Sequence, residues 1–239
     1  MSSLVLIRHG QAMPFQAAPD RLSVAGEAQA RKLGAFWTLR RVVFDEVYTG
    51  TLARQARTAE IVAECYAEAG IPWPRTQVVP GLDEYDAEGI LAAGIPRLSA
   101  RDEGFQALVE EIDRSAARAE RDRRFQRVFE AVMREWQDGT VAVLGLEPWS
   151  AFRDRVAAAM TKITGSGRSG RRVAAFTSGG PIGVTVQRVL QAPERMALEL
   201  NWRIRNCSLT EIVFSKDRAS LDLFNAAPHL DNPSLETYR

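Results

Sequence analysis

Histidine and cysteine are both scarce in this chain, with two of each in 239 residues. Cys65 and Cys207 are too few for a disulfide framework, and no metal-ligand spacing is present, so neither a stapled scaffold nor a resident metal or other cofactor is expected. Net charge is nearly absent as well: 31 Lys and Arg stand against 30 Asp and Glu. That balance leaves no field suited to wrapping nucleic acid or lying on anionic lipid. Long apolar runs are also missing. Leu4 to Ile7 is too short for a signal-peptide core or a membrane span and leads straight into Arg8-His9. The expectation is a cytoplasmic protein in which any bound anion is met by locally gathered charge.

What is present is an alternating pattern of strands and helices. Leu4 to Ile7 reads as a buried strand, Ser23 can cap a helix carrying Leu33, Phe36 and Trp37, and Val42 to Tyr48 reads as a second strand. Leu52, Ala56, Ala59, Ala63 and Tyr66 form the stripe of a second helix. Beyond Pro80 the rhythm changes to two helical stripes, Phe105-Leu108-Ile112 and Phe125-Val128-Phe129-Val132-Trp136. The charge-dense stretch Arg114 to Arg124 between them reads as a solvated helix face. The alternation resumes with Trp149 to Ile163, and strands are expected over Ile204 to Phe214 and Leu221 to Asn225. Such a chain folds as one α/β domain over residues 1–239, a three-layer α/β/α sandwich. Its mixed sheet is mostly parallel, with helices on both faces and a helical insertion at about residues 87–147.

Ligands gather at the carboxyl ends of strands in such sheets. The first strand delivers Arg8-His9-Gly10 there, and the second leads into "VYTGTLARQARTAEI", with Arg54 and Arg57 in the first turns of the next helix. A third strand, Val173 to Phe176, ends in Thr177-Ser178-Gly179-Gly180-Pro181 before a helix with Ile182, Val186, Val189 and Leu190. Glycines let backbone approach a ligand, and a helix N-terminus favours an anion. Three turns bearing Arg, His, Arg and Gly-Gly would together make a phosphate-sized pocket.

These residues resemble the histidine phosphatase superfamily, also called phosphoglycerate mutase-like. Its Arg-His-Gly is matched by Arg8-His9-Gly10, its Leu-Ser-x-x-Gly-x-x-Gln-Ala by "LSVAGEAQA", and its Ser-x-Leu-x-Arg-x-x-x-Thr-Ala by "GTLARQARTA". The last match selects Arg54, and Arg57 falls on a variable position. "GLDEYD" resembles the segment carrying the family's acid, which would be Glu84, flanked by Asp83 and Asp86. "RNCSLTEI" and "FNAAPHL" are similar to the closing strands and tail. The resemblance implies a phosphomonoester hydrolase in which neutral His9 attacks phosphorus while Arg8 and Arg54 grip the non-bridging oxygens. Glu84 would protonate the leaving oxygen, and Ser178 and Gly179 would line the phosphate. The partners implied are a small phosphorylated substrate or inorganic phosphate; a homodimer is left open.

One position departs from the pattern. The family's turn is usually Thr-His-Gly-Gly, and here Ser178 stands where its second histidine hydrogen-bonds the phosphoryl group. A hydroxyl remains a donor, so a weakened site is expected. Three functions stay open: the phosphatase, a phosphate-binding protein without turnover, and a serine hydrolase using Ser178 with His229 and Asp222. The last has only half of a Gly-x-Ser-x-Gly elbow, because Phe176 occupies the first glycine. His229 is expected to pack the tail. A phosphoglycerate mutase fits less well, because "RHGQAMPF" lacks the Trp-Asn continuation that the resemblance would carry.

Overall fold

The first strand, β1 (Ser2–Arg8), shows how the layers arise. Leu4 and Leu6 belong to one buried cluster while Val5 and Ile7 belong to another, because successive side chains of a strand leave by opposite faces. Both faces of the sheet are therefore covered. This computed structural model describes residues 1–13, 20–142, 145–165 and 168–238. They divide into two compact units, Met1–Glu84 with Arg155–Arg239, and Tyr85–Asp154.

In the first unit β1 is followed by α1 (Val24–Leu39), β2 (Glu46–Thr49), α2 (Ala53–Glu68) and β3 (Thr76–Val78). A long helix, α6 (Trp149–Thr164), begins in the second unit and ends in this one. It is followed by β4 (Arg172–Thr177), α7 (Gly179–Val189), α8 (Met196–Asn201), β5 (Leu209–Phe214) and β6 (Ala219–Ala226). The sheet order is β3-β2-β4-β1-β5-β6, with the first four strands parallel and the last two antiparallel to their neighbours. On one face α1 and α2 contribute Leu33, Trp37, Ala59, Val62 and Tyr66 to the core; on the other α6 and α7 contribute Ala159, Ile163, Ile182 and Val186. This is the three-layer α/β/α arrangement. Ser23 caps α1 through the Gly26 N–H.

The observed strands are shorter than the apolar runs that announced them. Val42 to Asp45 stays outside β2, where Arg41 turns the chain with a positive φ and Phe44 is buried without ladder bonds to either neighbouring strand. Ile204 to Ser208 likewise precedes β5, with Cys207 at φ 58°.

The second unit contains α3 (Ala87–Ser99), α4 (Glu103–Arg114), α5 (Arg118–Gln137) and the start of α6. Its centre is Val128, Val132, Met133 and Trp136, with Tyr85, Trp149 and Phe152 packed tilted or edge-on around the indole at centroid separations of 5.0–5.8 Å. Helix α3 went unseen in the sequence because Gly89, Gly94 and Pro96 dilute its period. Most of the charged stretch is the first half of α5. Arg118 lies open to solvent, whereas Arg124 is held by Glu111 and Glu120. Among the described residues no helix is long and apolar enough to cross a membrane.

Candidate active site

The parallel register that pairs Arg8 with Thr177 carries His9 and Ser178 to the same edge of the sheet. The His9 backbone is fixed on three sides: its N–H donates to Thr177 O at 2.9 Å, and its carbonyl accepts from Cys207 N at 3.2 Å and Asn206 Nδ2 at 3.3 Å. Gly10 follows because nothing larger fits. A Cβ there would lie 2.4 Å from the Gly26 carbonyl in the first turns of α1, and the Gly10 N–H donates to Thr58 Oγ1.

The His9 ring is almost wholly buried. Its Nδ1 lies 2.7 Å from the Gly10 carbonyl, a group that only accepts, so Nδ1 carries the proton and Nε2 presents its lone pair. Arg54 Nε donates to Nε2 at 3.1 Å. Burial first, then the positive charges of Arg54 and Arg8, hold the imidazole well below its usual range near 6.5, and it is neutral at physiological pH.

The two arginines are themselves held from distant parts of the chain. Arg54 Nη1 donates to Asp20 Oδ1 at 2.7 Å, and the same carboxylate accepts from Ala53 N at 2.6 Å, capping α2. Arg8 Nη1 donates to the Ile204 and Tyr238 carbonyls, which ties the C-terminal segment to the site. Asn206 is held by that segment too, through Thr237. Arg57 is turned elsewhere, paired with Glu64 at 2.7 Å and Glu60 at 3.3 Å.

Of the acids in "GLDEYD", Asp83 accepts from the Thr51 N–H and Asp86 caps α3, while Glu84 accepts from Gly180 N at 3.1 and 3.0 Å at the N-terminus of α7. Arg155 grips this loop by donating to the carbonyls of Asp83 at 2.8 Å and Glu84 at 3.3 Å. Gly179 packs closely against Asn201, whose Oδ1 would lie 2.1 Å from a Cβ at this position.

Ser178 is fully buried, and its hydroxyl accepts from Gln55 Nε2 at 2.8 Å. The serine hydrolase reading is thereby corrected, because among the described residues no imidazole bonds Ser178, and Asp222 is exposed on β6. His229 instead packs beside Phe36, with ring centroids 6.0 Å apart, and near the Cys207 backbone; burial pushes it down to about 4. Asp20, Gln55, Asn206 and Arg155 had carried no signal in the sequence, being ordinary polar residues far from the residues they hold.

Comparison with known proteins bears on family and fold. The family model of the histidine phosphatase superfamily (branch 1) matches residues 4–144 and 107–227. Among solved structures, a phosphoglycerate mutase from Bacillus anthracis is 17% identical with TM-score 0.63, covering 96% of this chain and 95% of its own. The phosphoserine phosphatase of Entamoeba histolytica is 16% identical with TM-score 0.62, covering 96% of this chain and 100% of its own. The alpha-ribazole phosphatase of Shigella flexneri is 18% identical with TM-score 0.61, covering 94% and 96%. These are likenesses of fold. No curated protein matches by sequence.

Proposed function

The chain belongs to the histidine phosphatase superfamily, branch 1, and from that premise we propose that it hydrolyses phosphomonoesters through a phosphohistidine on His9. The observation that carries this reading is the buried, neutral His9, with Nδ1 fixed on Gly10 and Nε2 directed at Arg54. The Nε2 lone pair attacks phosphorus and the P–O ester bond breaks. Glu84 gives its proton to the leaving oxygen. Water then attacks the phosphoryl group, returns a proton to Glu84, and the P–N bond breaks to release inorganic phosphate and restore His9.

Arg54 and Arg8 meet the dianion, and Arg54 exchanges its bond to Nε2 for one to a non-bridging oxygen as the group transfers. Arginine's planar fork suits this task, and a charge held in a nearly dry site is worth more than in water. No metal or organic cofactor enters these steps. The substrate is a small phosphorylated metabolite, a class in keeping with the names of the phosphoserine and alpha-ribazole phosphatases that share the fold.

A second reading, phosphate binding without turnover, is favoured by Ser178 standing where the family has a second histidine. The two part on one experiment. Wild-type protein quenched during turnover of a reactive phosphomonoester is expected to carry an acid-labile, alkali-stable label that is lost in His9→Ala. Phosphate binding with no label and no turnover supports the second reading, and an acid-stable label on Ser178 overturns both.

A further inference from the structure

Resting on the phosphatase reading, we infer that Gln55 is a positioning residue that aims the Ser178 hydroxyl at the phosphoryl group, so that a Gln-Ser pair does the work of the family's second histidine. Ser178 occupies the N-cap position of α7, where a serine hydroxyl ordinarily accepts from the backbone of the first turn. It makes no such bond. The Gly180 N–H goes to Glu84, and the Ser178 hydroxyl is taken by Gln55 Nε2 at 2.8 Å, across 123 residues of sequence. With its lone pair engaged by that amide, the hydroxyl keeps its own hydrogen to donate.

Gln55 is costly as a mere filler. It is fully buried, its Oε1 has no hydrogen-bond partner among the described residues, and it fills the space beside Gly50, where a Cβ would lie 1.9 Å from Oε1 and would push the amide out of place. An apolar side chain would lose less rotamer freedom and leave no orphaned acceptor. What an apolar residue cannot do is donate. The second Nε2 hydrogen goes to the Leu82 carbonyl at 3.0 Å, which also accepts from Thr177 Oγ1, so the amide is fixed in the plane that serves Ser178. The pair thereby joins β4, α2 and the loop before Glu84 at the strand ends that carry His9 and Ser178.

The test is a double-mutant cycle on kcat for an aryl phosphate, using Gln55→Met, close in volume, and Ser178→Ala. Each single change is expected to lower kcat by about tenfold, the loss of one neutral donor to the transition state, with KM little changed. In the Ser178→Ala background Gln55→Met is expected to add no further loss, because there is no hydroxyl left to aim. Gln55→Glu, which keeps the shape and loses the donor, is expected to be as slow as Gln55→Met. None of Gln, Met, Ser and Ala titrates near neutrality, so the fold-changes for Gln55→Met and Ser178→Ala are expected to be the same from about pH 5.5 to 8.

Equal losses from Gln55→Met in both backgrounds, or an unchanged kcat, overturn the inference and leave the phosphatase reading intact. Should the wild type bind phosphate without turnover, the same cycle is measured on inorganic phosphate affinity by calorimetry: a loss confined to the Ser178 background supports the pair, and equal losses in both overturn it. Absence of both turnover and phosphate binding in the wild type removes the phosphatase reading, and the inference with it.

Discussion

Replacing Arg54 by lysine keeps a positive charge and removes the fork, which makes it a sharp probe of the proposed phosphate clamp. Arg54 donates from Nε to His9 Nε2 at 3.1 Å and from Nη1 to Asp20 at 2.7 Å. A single ammonium on a flexible stem cannot hold both partners and also present a planar edge to two phosphoryl oxygens. Loss of one charge-assisted hydrogen bond of about 1.5–3 kcal/mol, made in the transition state, corresponds to about a 10- to 100-fold fall in kcat/KM. Inorganic phosphate affinity, measured by calorimetry, is expected to weaken as well. Arg57→Lys is the control: its guanidinium is occupied by Glu64 and Glu60, and both measurements are expected to stay near wild type. The pH profile separates charge from geometry. His9 must be neutral to attack, so kcat/KM falls as pH drops through its folded value, and that acid limb is expected well below 6.5. Arg54→Lys is expected to leave the limb in place. Arg54→Gln removes a cation that lowers His9, and the limb is expected to move up while staying below 6.5, because burial is the larger cause. Unchanged phosphate affinity and kcat/KM in Arg54→Lys would take Arg54 out of the site.

His229 is pushed down to about 4 by burial, so between that value and the 6.5 of an exposed histidine the unfolded chain binds a proton that the folded chain refuses. Stability is therefore expected to fall as pH drops through this window, with His229 contributing about 3 kcal/mol beside the contribution of the likewise depressed His9, and thermal melts of His229→Phe are expected to lose the His229 share and keep the rest. A wild-type pH dependence retained in full by the variant would refute the assignment. Arg155→Ala releases the Asp83 and Glu84 carbonyls and is expected to lower kcat more than it weakens phosphate binding, since it unsettles Glu84 and leaves the arginines in place. A selective loss of phosphate affinity would contradict that role.

The layer order of the fold follows from short-range pattern. Short continuous apolar runs mark β1 and β4, period-3.6 stripes mark α1, α2 and α7, and their alternation forces a sheet covered on both faces. The placement of Arg8, His9, Ser178 and Gly179 is equally legible, because a strand that ends in polar or glycine residues delivers them to the carboxyl edge of the sheet whatever the rest of the chain does. Where local pattern is diluted, as by Gly89, Gly94 and Pro96 in α3, no helical period marks the element, and where an apolar run continues past its ladder partners, as at Val42 to Asp45, the run overstates the strand.

The sequence on its own determined which side chains reach the edge of the sheet; tertiary structure decided what each of them meets there. Asp83, Glu84 and Asp86 are equivalent as a string of acids, and only folding sends one to Thr51, one to Gly180 and one to the start of α3. Nothing near Arg54 in sequence announces Asp20, nothing near Arg8 announces the Tyr238 carbonyl, and nothing near Ser178 announces Gln55. The physical reason is that backbone periodicity and turn chemistry act over a few residues. A buried hydrogen bond instead selects its partner by distance and direction within an ångström, and those are set only when segments 32 to 230 residues apart have closed on one another.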